Sequence, residues 1–310
     1  MKIVVTGANG FIGYALSTQL RNQQHDVISA VRRSCGIPNE TIIADDLSSN
    51  SALTNQDVVI HTAARSHVMN ETKADALAAY RAVNVDGAKK LAEQSAASGV
   101  KRFIFISSIK VNGERTNAGT RFTSEDNAFP EDAYGISKWE AEQALYEVSA
   151  RTGLEVVIIR PPLVYGPGVK GNFHSMLKWL SRGIPLPLGA IHNTRSLVGI
   201  DNLVDLIITC IEHPAAANQT FLVSDGEDLS TTDLLHRLGK ALHRPARLLP
   251  VPASVLEVAA QLVGKKAVAQ RLLGNLQVDI SKTREVLDWS PIVSVDEGLQ
   301  KTADWYLSQR

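Results

Sequence analysis

Short runs of β-branched and aliphatic residues recur at 2–6, 26–31, 41–45, 57–63, 102–107 and 155–160. They are nearly unbroken in hydrophobicity rather than alternating, which is how strands buried on both faces read. Between them lie helical stretches at 15–23, 86–98 and 137–151, the crossovers that parallel strands require. The alternation predicts an α/β fold built on a doubly wound parallel sheet. After Tyr165-Gly166-Pro167-Gly168 it lapses, and the Pro-rich stretch 184–189 predicts an irregular, loop-built region. A strand at 220–224 can rejoin the sheet, followed by helical patterns at 232–242 and 254–273. The stretch 254–263 is apolar but far short of the ~20 residues that span a bilayer, so a core or interface helix is expected there and no membrane insertion.

Composition changes this picture little. A chain of 310 residues, 44% hydrophobic, exceeds the size at which one core stops growing, so a large domain with a smaller annex is expected. Thirty-two Lys and Arg balance 32 Asp and Glu, leaving no overall footprint for nucleic acid or an anionic membrane. An anionic ligand must then be met by local positive charge. Cys35 and Cys210 have no metal-ligand spacing and are too few for a disulfide framework, and no His/Cys/Asp cluster suggests a metal. Met1 runs directly into an apolar strand without a signal-peptide pattern, which predicts a cytoplasmic protein.

The chemistry starts at Thr6-Gly7-Ala8-Asn9-Gly10-Phe11-Ile12-Gly13, which closes the first strand and opens a helix. Side chains at Gly7, Gly10 and Gly13 would block the tight turn and the approach of the N–H groups of residues 9–13 to a pyrophosphate, which the helix N-terminus also attracts. A dinucleotide-binding Rossmann domain is therefore expected over 1–165 plus about 198–225, with a smaller mixed substrate domain over 166–197 plus about 226–310. The second strand ends in Arg32-Arg33, with no carboxylate for a ribose 2′-hydroxyl. Two guanidiniums suit a 2′-phosphate, so NADP(H) is favoured, with NAD the alternative.

Tyr134 and Lys138 stand i and i+4 at the start of a helical stretch and so share a face. A neighbouring ammonium is expected to lower the phenol from its usual ~10 and make Tyr134 the general acid/base. Upstream, Phe105-Ile106-Ser107-Ser108 ends a strand in two hydroxyls, either of which can face a cleft at the carboxyl edge of the sheet.

The GxxGxxG spacing together with Tyr134-Gly135-Ile136-Ser137-Lys138 resembles the extended short-chain dehydrogenase/reductase family, in its NAD-dependent epimerase/dehydratase branch. Nearly the whole chain fits. The resemblance implies that His61-Thr62-Ala63-Ala64 lines the cofactor, with Thr62, Ala63 and Ala64 in contact. It implies the same of Asn84, of Pro161, Leu163 and Val164 beside the nicotinamide, of Ser107, and of Asp46 and Leu47 near the adenine. It places Lys138 on the nicotinamide ribose and the substrate-polarising hydroxyl at Ser108, with Ser107 the alternative. Substrate contacts are implied for Asn172, Arg195 and Lys110, with Asp201 following Arg195. Arg271 is either a second phosphate contact or an exposed helix residue, and His67 either a substrate contact or a loop histidine. Lys110 and Asn112 depart from the Thr and Tyr of many relatives. The activity implied is redox chemistry at C4 of a UDP-sugar. The Arg32-Arg33 ending favours a reductase of a UDP-4-keto-N-acetylhexosamine, similar to UDP-N-acetylquinovosamine dehydrogenases of surface polysaccharide synthesis. The alternatives are a UDP-glucose or UDP-N-acetylglucosamine 4-epimerase with tightly held NAD and, in another class, a non-catalytic NADP-binding sensor. A homodimer through the helical stretches 74–80 and 141–148 is one expectation; core packing of the same residues is the other.

Overall fold

A computed structural model describes residues 1–43, 52–65, 73–264 and 266–309. In chain order its elements are β1 (Lys2–Thr6), α1 (Phe11–Asn22), β2 (Asp26–Val31), β3 (Glu40–Ile42), β4 (Val58–His61) and α2 (Lys73–Tyr80). A π-helical turn (Arg81–Asp86) leads into α3 (Gly87–Ala97), followed by β5 (Arg102–Ile106), a 3-10 turn (Ile109–Val111), α4 (Ala133–Thr152), β6 (Glu155–Arg160), β7 (Leu163–Tyr165) and α5 (Gly171–Ser181). The remainder is β8 (Arg195–Gly199), α6 (Ile200–Glu212), β9 (Thr220–Leu222), β10 (Asp228–Leu229), α7 (Thr231–Ala241), α8 (Ala253–Leu262), α9 (Lys266–Leu273), α10 (Ser281–Leu287) and α11 (Val295–Ser308).

Seven strands form one parallel sheet in the order β3-β2-β1-β4-β5-β6-β9, the doubly wound arrangement that the unbroken apolar runs predict. The register aligns Thr6 with Ala30 and His61, His61 with Phe105, and Phe105 with Ile158. The carboxyl ends of β1, β4 and β5 therefore open on one edge, where chain order reverses around β1 and ligands bind in such sheets. Apolar side chains pack above and below: Ile3, Val5, Leu16, Ile60 and Ile159 join α1 and α6 on one face, and Val4, Phe103, Leu145 and Ile158 join α3 and α4 on the other.

A second, mixed sheet of three short strands, β10-β8-β7, starts directly after β6 through the Pro161-Pro162 turn. It carries a separate core of Tyr165, Phe173, Leu177, Leu235, Leu299 and their neighbours. Leu276, Val278, Ile280, Leu287 and Trp289, expected with the smaller part, pack into the large-sheet core, and Tyr165, expected with the larger part, packs into the smaller one. The single helical pattern expected over 254–273 is two helices, α8 and α9, with Gly264 at φ +69 after the first.

Candidate active site

At the end of β1, Gly7 has φ +70, and a Cβ there would lie 2.7 Å from the backbone N of Ala63. A Cβ on Gly13 would come within 2.2 Å of the Gly7 carbonyl oxygen. These two positions exclude any side chain, because the turn, the first turn of α1 and the loop after β4 converge backbone to backbone. Gly10 closes the turn by donating its N–H to Gly7 O at 2.8 Å and forms the N-cap of α1, which has no side-chain cap. Thr62 fastens the β4 loop by donating to the Thr6 carbonyl at 2.6 Å. The result is a helix N-terminus without a side-chain cap behind a turn whose closest approaches are made by glycines, the shape and potential a dinucleotide pyrophosphate needs. Asn9, Gly10 and Ala64 are exposed, while Phe11, Ile12 and Ala63 are half-buried around it. Arg32 and Arg33 are exposed past β2 and form no hydrogen bond or ion pair among the described residues. Asp46, Leu47 and His67 lie outside the described residues.

The expected catalytic pair, Tyr134 and Lys138, stands at the head of α4. Asp132 caps this helix by accepting from Gly135 N at 2.7 Å, and the Lys110 ammonium pairs with Asp132 and, at 2.6 Å, with Glu114. Lys110, expected on the substrate, thus spends its charge on the helix cap. One turn on, Lys138 is 1% exposed; its Nζ donates to Ile106 O at 2.7 Å and lies 3.8 Å from the centre of the Phe105 ring. Burial draws this amine down to about 7, with the Glu142 carboxylate pulling the other way. Tyr134 lies edge-on to Tyr80 at 5.9 Å. Its phenol is pushed up to about 12 by burial, helped by the Asp132 charge and Tyr80. No lowering by Lys138 is seen: its ammonium is turned to a backbone carbonyl and an aromatic face, and desolvation of the phenolate wins.

The two candidate serines separate. Ser107 is buried and donates to Glu142 Oε1 at 2.5 Å, whereas Ser108 is half-buried and caps the 3-10 turn by accepting from Lys110 N at 3.3 Å. Ser107 is committed to the interior and Ser108 stands at the cleft edge. Glu142 in turn holds Arg160 through two bonds of 3.0 and 2.6 Å, and Arg160 reaches Asn112 at 3.0 Å. Sequence reasoning left Glu142 and Arg160 unassigned, although Glu142 follows Lys138 by the same four-residue step that relates Lys138 to Tyr134. Asn84, expected to contact cofactor, is 1% exposed and spends its amide on the Arg65 backbone, at 2.9 and 3.1 Å, and on Ser137 Oγ at 3.0 Å. It ties the loop after β4 to the catalytic helix. Beyond β6, Pro161 is buried and accepts from Ile109 N at 3.0 Å, Leu163 is 42% exposed, and Val164 is half-buried.

In the smaller sheet, Arg195 opens β8 and donates to Gly274 O at 2.9 Å. Burial, followed by the nearby Arg271 charge, pulls its guanidinium below the usual arginine value. Among the described residues neither arginine forms an ion pair. Asp201 pairs with Lys301 at 2.5 Å, and Asn172 is exposed in the first turn of α5. His61, next to the glycine turn, shares a 2.6 Å bond between Nδ1 and Thr6 Oγ1 and is held neutral, near 3, chiefly by burial. Among the described residues no three His, Cys, Asp or Glu side chains converge on a metal position.

A doubly wound sheet, a glycine cradle at its first strand and a Tyr/Lys helix define a dinucleotide-dependent fold with a redox-type site. Comparison with known proteins makes the class specific. The NAD dependent epimerase/dehydratase family matches residues 3–224, and the chain belongs to that family. A UDP-glucose 4-epimerase of Vibrio cholerae is 49% identical over 312 residues, covering 98% of this chain and 95% of the relative. An N-acetyl-α-D-glucosaminyl-diphospho-ditrans,octacis-undecaprenol 4-epimerase of Escherichia coli O157:H7 is 28% identical over 77% of this chain and 72% of its own. Among solved structures, the UDP-N-acetylglucosamine 4-epimerase from Bacillus cereus superposes with a TM-score of 0.83 at 19% identity, over 100% of this chain and 99% of that one. The Bordetella bronchiseptica enzyme WbmG in complex with NAD gives 0.77 at 19% identity, over 99% and 94%.

Proposed function

We propose that this chain carries out nicotinamide-dependent redox chemistry at C4 of a UDP-hexose or UDP-N-acetylhexosamine, with 4-epimerisation as the net outcome. The observation that carries the substrate class is the Arg195 and Arg271 pair: two guanidiniums, the first held below its usual value by burial and by the charge of the second, that form no ion pair among the described residues and suit a diphosphate. The full-length likeness to the Vibrio cholerae protein supports epimerisation.

The cradle of Gly7, Gly10 and Gly13 fits a pyrophosphate and Lys138 would hold the nicotinamide ribose. The bound dinucleotide supplies the acceptor and donor of hydride. Tyr134, once its raised phenol has lost its own proton, takes the proton of the C4 hydroxyl as the ketone forms and returns it when the ketone is reduced on the other face. Ser108 hydrogen-bonds the same oxygen and keeps it within reach of the phenol. Arg195 and Arg271 grip the diphosphate while the sugar turns over.

A second reading, reduction of a UDP-4-keto-N-acetylhexosamine by NADPH, is favoured by one observation: Arg32 and Arg33 stand exposed and unengaged where a 2′-phosphate would sit. Both readings are tested by identifying the nucleotide released on denaturing the purified protein, then assaying UDP-glucose, UDP-N-acetylglucosamine and a UDP-4-keto sugar. Retained NAD with interconversion of C4 epimers is the expected result. NADPH consumption on the keto sugar without epimerisation selects the second reading, and neither activity overturns both. In the active assay Tyr134→Phe is expected to lower turnover by about 10²–10⁴ while cofactor content is kept.

A further inference from the structure

The smaller part of the molecule carries an apolar surface that its own chain leaves uncovered. Helix α8 has no fully buried residue. Ala253 and Leu256 face inward against the second core, and Ser254, Glu257 and Gln261 form a polar flank. Opposite the packed side, Val255 (54% exposed), Val258 (59%) and Leu262 (83%) line up with the exposed Ala259 at i, i+3, i+4 and i+7, and Val263 follows at 67%. A helix that packs on one side and presents a second apolar stripe outward has more nonpolar surface than folding requires.

The chain on either side of this stripe is one-sided in charge. Between residues 234 and 270 there are six Lys and Arg and one acid, Glu257, in a chain whose net charge is zero. Arg237 is balanced by Glu227 and Asp296. Lys240 and Arg244, with His236 and His243, line an open cavity of about 410 Å³ that contains no carboxylate. Lys265 and Lys266 follow the stripe in sequence. An outward apolar stripe within a basic stretch of chain is what an interfacial helix needs, with the stripe in the acyl boundary and cations of that stretch at the headgroups.

We propose that this face docks on an anionic lipid surface, with α8 lying in the interface plane. Among the described residues no helix is long and apolar enough to cross a membrane, so the contact is peripheral. Charge selects this occupant over a second copy of the chain, since a twofold contact would set the basic segment against itself, whereas acidic headgroups complement it. The proposal stands on its own, apart from the reading of the catalytic site.

The test is co-sedimentation of the full-length protein with phosphatidylcholine vesicles, with and without phosphatidylglycerol, at low and high salt, alongside light scattering for oligomeric state. The expected result is binding to the phosphatidylglycerol vesicles, weakened by salt, and lowered about tenfold or more by Val258→Glu with Leu262→Glu. These substitutions are at exposed positions, so unchanged melting and cofactor content should accompany the loss. No binding to either vesicle, or binding that the double variant leaves intact, overturns the proposal. A dimer that the double variant dissociates, with no vesicle binding by the parent protein, assigns the face to a second copy instead.

Discussion

Glu142 shows how one buried carboxylate can tie the helix of Tyr134 and Lys138 to its neighbours. It is fully buried, accepts from Ser107, holds Arg160 through two bonds, and is the negative charge that offsets the desolvation of Lys138 one turn away. Such a pair adds little net stability over an apolar replacement, yet removing one partner strands the other charge. Glu142→Gln is therefore expected to destabilise the protein by about 3–5 kcal/mol in urea denaturation, because the Arg160 guanidinium remains buried without a counter-charge. Glu142→Leu combined with Arg160→Leu should recover most of that loss. A double variant as unstable as the single one would show that the carboxylate acts through packing alone. The same pair explains why the two adjacent serines, indistinguishable by composition, differ in the structure: Ser107 faces the buried acid and Ser108 does not.

At the scale of elements, the join between the β4 loop and α4 depends on a local departure from α-helical geometry. The turn Arg81–Asp86 is π-helical, and Asn84 within it reaches both the Arg65 backbone and Ser137, whose hydroxyl donates to Tyr134 O at 2.8 Å. The wider turn inserts a residue and changes the face on which Asn84 falls. Asn84→Ala is expected to cost about 3 kcal/mol by leaving buried partners unsatisfied and to lower the retained cofactor. Ser137→Ala should cost less, since the bonds to the Arg65 backbone survive. Equal losses measured by thermal melting and cofactor content would refute the strut. That role was not legible in the sequence, because a single inserted residue shifts the spacing over one turn only, too short a stretch for the change to register. The parallel strands were legible because burial on both faces removes polar residues, and the glycine turn because its steric demand admits one residue type. Helix α5 was overlooked behind the Pro-rich segment that follows it, although Phe173, Met176, Leu177 and Leu180 keep helical spacing and all are buried. Strands β7, β8 and β10 have only two to five residues each, too few for a period to register. Arg195 and Arg271 lie 76 positions apart in the sequence, and only the fold shows that Arg195 feels the charge of Arg271.

For the whole molecule, averages hide what local structure creates. A net charge of zero conceals the basic stretch around α8, and a standard lysine value conceals the state of Lys138. In the unfolded chain this amine holds its proton up to about 10.5, whereas the folded protein releases it near 7. Between those values the unfolded state binds more protons, so stability rises with pH; the penalty of burying the charge is complete below pH 7 and relieved above. Cys210 acts with the opposite sign, since burial raises its thiol from 9 to about 12, and its effect begins only above pH 9. Tyr134 is likewise raised, with its effect above pH 10. His61, lowered to about 3, has completed its contribution by pH 6.5. The window from pH 7 to 9 thus isolates Lys138 among these shifted groups. In cofactor-free protein, urea denaturation of the parent and of Lys138→Met at pH 7, 8 and 9 should show the parent gaining up to about 1.4 kcal/mol per pH unit relative to the variant. Groups that behave alike in both proteins cancel in that difference, so parallel profiles would mean that the amine is solvated and that burial does not set its charge.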